Sequence, residues 1–303
     1  MPEPLDVPPE VRALAAERAA LRAARDFAAA DAIRDRLLAM GFEVEDSPEG
    51  PVVRAVEKGG DPGARLRADQ VPSVLDEPAS GGITAVWVVQ GWPEDVVRGV
   101  RALRATGGED VHEVVVHCIP DPPTYPEGVE VVALEADPGW GAAANVGLRR
   151  ARGGIVVVFD GSVEAQGSIG ALREALDDPS VGLVGPWGIV TDDLRTFRDD
   201  DGPLVDAIEA YCLAFRRSLA EDGLAFDPKF TFYRSADIEF SFRVAERGLA
   251  RRIVPLPLVR HEHRMWHATA PAERDRLSKR NFYRFLDRYR GRFDLTVAGE
   301  PPG

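Results

Sequence analysis

Asp137-Pro-Gly-Trp140-Gly-Ala-Ala-Ala-Asn145-Val-Gly-Leu148-Arg-Arg-Ala-Arg-Gly-Gly154-Ile-Val-Val-Val-Phe-Asp160 is the stretch that decides the fold. A run of small residues opens a helix with one apolar face, and Gly153-Gly154 ends it. Ile155 to Phe159 are all apolar, as a strand buried on both faces requires. That strand stops on Asp160. Helix, turn and strand make one step of an open α/β sheet. The strand leaves a carboxylate at its carboxyl end, the edge where such sheets bind ligands.

The same alternation extends to both sides. Ile83–Val89, Glu113–Ile119, Val129–Leu134, Val181–Pro186 and Arg252–Val254 read as strands. Pro93–Ala105, Ala142–Arg152, Ser168–Leu176 and Asp237–Gly248 read as helices, and Pro271–Tyr289 as a last helix. Strands alternating with helices predict a mostly parallel sheet covered on both faces. Ahead of it, Leu14, Leu21, Phe27, Ile33 and Leu37 recur at helical spacing, with Gly41 as a helix stop. Phe42-Glu43-Val44 alternates like a strand, and Ser47-Pro-Glu-Gly50 reads as a turn. Residues 58–81, rich in Gly and Pro, read as a linker. The expected division is therefore 1–57, a helical hairpin; 58–81, linker; 82–267, the sheet domain; and 268–303, a basic and aromatic helix with a tail.

With 303 residues and 45% hydrophobic content, the chain can bury a full core. A net charge of −13 argues against broad nucleic-acid binding as the main activity. Cys118 and Cys212 stand in apolar contexts and read as buried thiols of a reducing compartment. No run has the length of a membrane span, and the acidic start lacks an apolar signal core, so a cytoplasmic protein is expected.

Residues 83 to 263 resemble family 2 glycosyltransferases of the A-type fold, a Rossmann-like architecture. Three blocks carry the resemblance: Gly139-Trp-Gly-Ala-Ala-Ala-Asn145-Val-Gly147; Val156-Val-Val-Phe-Asp160; and Phe226-Asp-Pro-Lys-Phe230 followed by Ala236-Asp-Ile-Glu-Phe-Ser-Phe-Arg243 and Glu246-Arg-Gly248. The resemblance implies transfer of a sugar from a nucleotide-diphosphate donor to a hydroxyl acceptor, with inversion. The acceptor would be a glycan, a lipid-linked glycan or a small molecule. It implies a divalent metal, Mn or Mg, that stabilises charge developing on the diphosphate as a Lewis acid. Asp160 would sit at donor and metal, with His261 near the metal. Ser162, Gly139, Asn145, His117 and Gln90 would flank the donor. Asp237, at a helix start, would be the base, although as a residue it reads equally as an N-cap. Trp187, Tyr233 and Arg234 would face the acceptor.

The chain departs from that pattern at four places. Gly161-Ser162 follows Asp160, so the second acid of the Asp-x-Asp motif is missing, and Glu164 is the nearest substitute. His117 stands near the usual base-gripping aspartate. Gln90-Gly-Trp-Pro93 replaces the usual first turn, and Ala236 replaces the acid before Asp237. These losses keep a second reading open, a catalytically degenerate scaffold that binds nucleotide or glycan. In His261-Glu-His263 the alternation puts both imidazoles on one side of a strand, and His261 is the one assigned to the site.

Residues 18–37, through Gly41 and Asp46 to Gly50-Pro-Val-Val-Arg54, are similar to the C-terminal helical region of cysteinyl-tRNA synthetases. That similarity implies an RNA-contact or docking module using Arg18, Arg22, Arg25 and Arg34. The interleaved acids Asp26, Asp31 and Asp35 favour charges paired on solvated faces, and nucleic acid is not the expected partner. The last helix carries Arg274, Arg276, Lys279, Arg280, Arg284, Arg288 and Arg290 among aromatic residues. It reads first as a helix docked on the core by its aromatic face, and second as a peripheral contact with the inner face of a membrane.

Overall fold

The computed structural model describes residues 7–24, 26–40, 42–47, 50–55, 65–120 and 124–300. Gly41 and the Pro48-Glu49 step of the expected turn lie outside them. The chain divides into two units, Met1–Gly60 with Thr124–Glu127, and Asp61–Pro123 with Gly128–Gly303.

The first unit pairs helices α1 (Pro9–Ala23) and α2 (Phe27–Ala39) with an antiparallel ribbon, β1 (Phe42–Ser47) and β2 (Gly50–Ala55). Proline at the first helical position of α1 costs no hydrogen bond, because that amide has no partner inside a helix. Val11, Leu14, Ala15, Leu37 and Val44 form its small core.

The second unit is built on a seven-stranded sheet. Its strands are β3 (Ser80–Val89), β4 (Val111–His117), β5 (Glu130–Ala133), β6 (Gly153–Phe159), β8 (Val181–Gly185), β12 (Cys212–Arg216) and β13 (Ala250–Ile253), in the order β13-β8-β12-β6-β3-β4-β5. Strands β6, β3, β4 and β5 run parallel, as do β13 and β8. Strand β12 alone reverses, lying antiparallel to both β6 and β8. Two small sheets stand off the main one: β9 (Gly188–Thr191) between β10 (Phe197–Asp200) and β11 (Ala207–Ile208), and β7 (Val163–Ala165) paired with β14 (Leu258–Arg260).

Helices α3 (Pro93–Thr106), α4 (Trp140–Arg149), α5 (Ala171–Leu176), α6 (Arg217–Glu221), α7 (Ala236–Ala245), α8 (Arg264–Ala268) and α9 (Pro271–Tyr289) complete the unit. Helix α4 packs on β3 so closely that a Cβ on Gly147 would stand 2.2 Å from Val86 Cγ1. The expected helices and parallel strands are present within a few residues of their predicted ends. Phe285, Leu286 and Tyr289 of α9 are buried against Ile238 and Phe242 of α7, so the last helix docks by its aromatic face as expected. Among the described residues no helix is long and apolar enough to cross a membrane.

One expectation is corrected. The segment read as a linker over 58–81 is, in its described part, a strap on the sheet. Leu66 bridges Leu134, Arg65 donates to the carbonyls of Leu134 and Ile119, and Val71 and Val74 are buried. Arg217, itself buried, donates to Ala151 O at 2.9 Å, to Val74 O at 2.6 Å and to Glu77 O at 2.8 Å. Within this packed stretch, which includes Pro72 and Pro78, one guanidinium reaches the carbonyls of both Val74 and Glu77.

Candidate active site

The carboxyl ends of β3, β4 and β6 meet at one edge, and Asp160 is the first residue beyond β6. Its N–H donates to Tyr211 O at 3.0 Å, just before β12. Because β12 is antiparallel, its beginning lies where β6 ends, with Cys212 opposite Phe159. Two adjoining cavities open at this edge, of about 330 and about 50 Å3, and both are lined by Trp140, Asp160, Tyr233 and His263.

Asp160 is held on both oxygens. Oδ1 accepts the N–H of Ser162 at 2.8 Å and also the Ser162 hydroxyl. Oδ2 lies 3.2 Å from His263 Nε2. Burial alone would raise the carboxyl, but His263 and Ser162 together outweigh it and hold it below the usual aspartate range. His263 stacks on Tyr233, ring centres 4.3 Å apart. His261 is instead exposed and pairs with Glu164 at 2.9 Å, and Glu164 also meets Arg98 at 3.4 Å. The expected order of the two histidines is therefore reversed at Asp160: it is His263 that faces the acid. The strand β14 ends at Arg260, so His261 and His263 do not share the strand alternation from which their common orientation was read.

Asp237 lines the larger cavity from the first turn of α7. Its Oδ2 accepts Ala210 N–H at 3.1 Å and its Oδ1 accepts Ile238 N–H at 2.9 Å. Burial raises its carboxyl above the usual range, against the pull of the Ala210 amide and the Arg234 charge. Arg234 and Tyr233 line the same cavity. Trp187 does not line it. It stands behind, its ring 5.9 Å from Tyr211, with the Arg260 guanidinium 5.4 Å from its centre.

The residues assigned to the donor are divided by the structure. Gln90 and Ser162 line the smaller cavity. The Gln90 amide donates to Asp137, which also takes Gly139 N–H at 2.8 Å. The first amides of α4 are spent internally, Trp140 N–H on Thr231 O and Gly141 N–H on Phe230 O. Gly139 is needed for its φ of +89° and because a Cβ would meet Thr231 Cα at 2.7 Å. Asn145 closes a two-way hydrogen bond with the backbone of Phe226, at 2.8 and 2.9 Å. His117 is fully buried and lines neither cavity. Burial, helped by the nearby Arg65 charge, lowers its pKa to about 4. Gly139 and Asn145 thus build the frame of the site, and His117 is a buried residue at the end of β4.

Glu209 and Tyr211 line the larger cavity and were not anticipated. Burial and the Asp237 charge push the Glu209 carboxyl up to about 7, against the pull of Arg260 3.8 Å away. The one available signal was the apolar run Cys212–Phe215. Read as a strand reversing beside β6, it would have placed the residues before it at the edge that carries Asp160.

The Asp160–His263 pair suits a divalent ion. Two donors 3.2 Å apart are close to the separation of adjacent ligands around an ion with bonds of ~2.1 Å. Among the described residues no group of three or more His, Cys, Asp or Glu side chains converges to hold a metal alone. The remaining positions would then fall to ligand oxygens and water, the usual arrangement where phosphates complete the shell.

Comparison with known proteins bears on both units. Residues 5–54 match the family model of the cysteinyl-tRNA ligase anticodon binding domain. The chain is 57% identical over 49 residues to cysteine–tRNA ligase 1 of Burkholderia lata, covering 16% of this chain and 10% of the ligase. It is 60% identical over 43 residues to the cysteine–tRNA ligase of Nitratidesulfovibrio vulgaris, covering 14% and 9%. The chain therefore spans about a tenth of the length of these relatives. The structure superposes on that of GalNAc-T7, solved with UDP, GalNAc and Mn2+, with a TM-score of 0.52 at 12% identity, covering 68% of this chain and 47% of that one. At that identity the likeness is one of fold, and the fold is the glycosyltransferase A type.

Proposed function

We propose that the sheet unit is an inverting glycosyltransferase that moves a sugar from a nucleotide diphosphate to a hydroxyl acceptor. The observation that supports it most is the placing of two acids, Asp160 and Asp237, on one cavity at the carboxyl edge of the sheet, with opposite electrostatics. Asp160 is held as an anion by three hydrogen bonds or charges. Asp237 is pushed towards holding a proton. Chemistry that needs a fixed negative charge and a proton acceptor separates two carboxyls in this way.

In this reading Asp237 orients the acceptor hydroxyl and takes its proton as the oxygen attacks the anomeric carbon. The glycosidic bond to the diphosphate breaks on the opposite face, and inversion follows. Tyr233, Arg234 and Tyr211 would line the acceptor's place, and Gln90 and Ser162 the donor's. Asp160 and His263 would hold a divalent cation, Mn or Mg, which when bound supplies Lewis-acid stabilisation of the leaving diphosphate.

A screen of melting temperature against uridine, guanosine, thymidine and cytidine diphosphates and their sugars, with and without manganese, tests the reading. A manganese-dependent rise with one nucleotide family, followed by release of that diphosphate in the presence of acceptor, is expected. Binding without turnover would favour the degenerate scaffold, and no shift with any of them would overturn the donor site.

The match of residues 5–54 to an anticodon-binding domain supports a second reading for the first unit alone, contact with an RNA. A salt-dependent affinity for tRNA, lost on removing residues 1–57, would establish it.

A further inference from the structure

Glu209-Ala210-Tyr211 runs along one wall of the larger cavity and touches both of its acids. The Tyr211 carbonyl accepts Asp160 N–H at 3.0 Å, and Ala210 N–H donates to Asp237 Oδ2 at 3.1 Å. Glu209 is anchored by its own N–H on Trp187 O at 3.0 Å, and its side chain lines the cavity. Each oxygen of Asp237 accepts a backbone amide. Among the described residues the Glu209 carboxylate accepts no hydrogen bond, and Arg260 Nη1 stands off at 3.8 Å. Its lone pairs are therefore uncommitted.

We propose that Glu209 is a second proton-handling residue of this cavity, coupled to Asp237 so that the two carboxyls hold one proton between them. The use made of that proton rests on the transfer reading, whereas the coupling is a property of the cavity itself. Burial first and the Asp237 charge second raise Glu209 to about 7, Asp199 adds to them, and Arg260 and Arg234 oppose. The Tyr211 phenol, also raised by burial, stays protonated beside it. Two acids that repel one another across a partly buried space titrate as a pair.

The coupling gives the reaction's proton a way out. The acceptor oxygen bonds to the anomeric carbon, its proton passes to Asp237, and the bond to the diphosphate breaks with its electron pair leaving on the diphosphate. Asp237 is then neutral. The part of the rise in Glu209 that the Asp237 charge supplied is then lost, its affinity for the proton falls, and Glu209 releases it to water in the cavity. One proton arrives on Asp237 and one leaves from Glu209, so the pair keeps its charge through the step.

Carboxyl 13C NMR of the full chain, labelled in Asp and Glu, tests this from about pH 5 to about pH 9. In the wild type one glutamate carbon is expected to titrate near 7 and to be missing in E209Q. In D237N its midpoint is expected to fall by about one pH unit or more. In E209Q the Asp237 midpoint is expected to stay in place, because the member of the pair that ionises first does so beside a still-neutral partner. A Glu209 carbon that titrates in the ordinary glutamate range, or a midpoint unmoved in D237N, overturns the proposal. The D237N arm decides alone if E209Q does not fold. The readout needs neither donor nor acceptor, so coupling found in a chain that turns over no nucleotide sugar keeps the carboxyl pair and overturns only the transfer reading.

Discussion

His263 Nε2 lies 3.2 Å from Asp160 Oδ2 and joins the segment after β14 to the end of β6. The contact explains how a half-buried carboxylate can remain ionised with no second acid in its motif. Ser162, which stands where that acid would be, gives both its N–H and its hydroxyl to Oδ1. The serine thus restrains the remaining aspartate and adds no charge of its own.

Asp160→Ala is expected to abolish the nucleotide-dependent rise in melting temperature, while leaving the melting temperature of the free protein within a few degrees. The Asp160 carboxyl is lowered in the folded chain. Its contribution to stability is therefore complete above the ordinary aspartate range, ~4, and is lost as pH falls through the lower native value. Melting curves of wild type and Asp160→Asn should differ above about pH 4 and converge below it. Curves that stay parallel down to the most acid pH would show that His263 and Ser162 do not hold the anion.

His117 gives a pH dependence of opposite origin. Its native pKa of about 4 lies below the ordinary 6.5, so the unfolded chain takes up a proton that the folded chain refuses. Stability contributed by the neutral ring is complete above about 6.5 and falls as pH drops towards 4, by on the order of 3 kcal/mol over that interval. Urea midpoints at about pH 7, 5 and 4 should show the slope in wild type, and His117→Gln should flatten it. An unchanged slope in His117→Gln would assign the acid sensitivity elsewhere.

How much of this was legible in the sequence follows from what each signal encodes. The parallel strands and their helices were read correctly because burial on both faces forces continuous apolar runs, as in Ile155–Phe159. The end of such a run located Asp160 without any structure. The strand Cys212–Arg216 is as apolar, but nothing in a run of that kind states its direction, and its reversal is what brings Glu209 and Tyr211 to the edge. Gly139 and Asn145 lie in the block that resembles a donor site, yet their work is backbone geometry: a φ of +89° and a closed bond to Phe226. A motif gives residue types and spacing. Whether its amides face a ligand or a neighbouring carbonyl is settled by a segment some ninety residues away, Phe230-Thr231. The strap at 65–79 was misread for the same reason, since its partner Arg217 is distant in sequence.

That arginine carries the third prediction. Arg217→Met leaves the carbonyls of Ala151 and Glu77 without their donor and leaves Val74 O with the Glu77 N–H alone, and a buried group left unsatisfied costs about 1–3 kcal/mol. A total loss of about 3–5 kcal/mol is expected, read as a lower urea midpoint. Arg217→Lys should not restore it, because a single ammonium cannot span three carbonyls that a planar fork reaches together. Proteolysis should begin in the strap in both variants. Full stability in Arg217→Lys would show that charge alone holds the segment.

Asp237→Asn separates the two acids of the cavity. The substitution keeps the size of the side chain and, through its amide oxygen, one acceptor for the Ala210 or Ile238 amide, so folding should be little changed. It removes the proton acceptor from a residue that burial has raised towards useful basicity. If Asp237 is the base, the nucleotide-dependent melting shift should survive, and kcat and kcat/KM should fall together by ~10²–10⁴-fold, the usual contribution of a positioned base. A rise in KM with kcat unchanged would make Asp237 a binding residue only. Loss of both the shift and the fold would leave it a structural residue of the first turn of α7, whose N-cap is Ser235. The distinction matters because Asp237 accepts the Ile238 amide within the first turn of its own helix and also the amide of Ala210 on the opposite wall. That second bond ties the helix to the wall carrying Glu209, so a variant whose one remaining oxygen can still take the Ala210 amide while the negative charge is lost is the one able to tell chemistry from architecture.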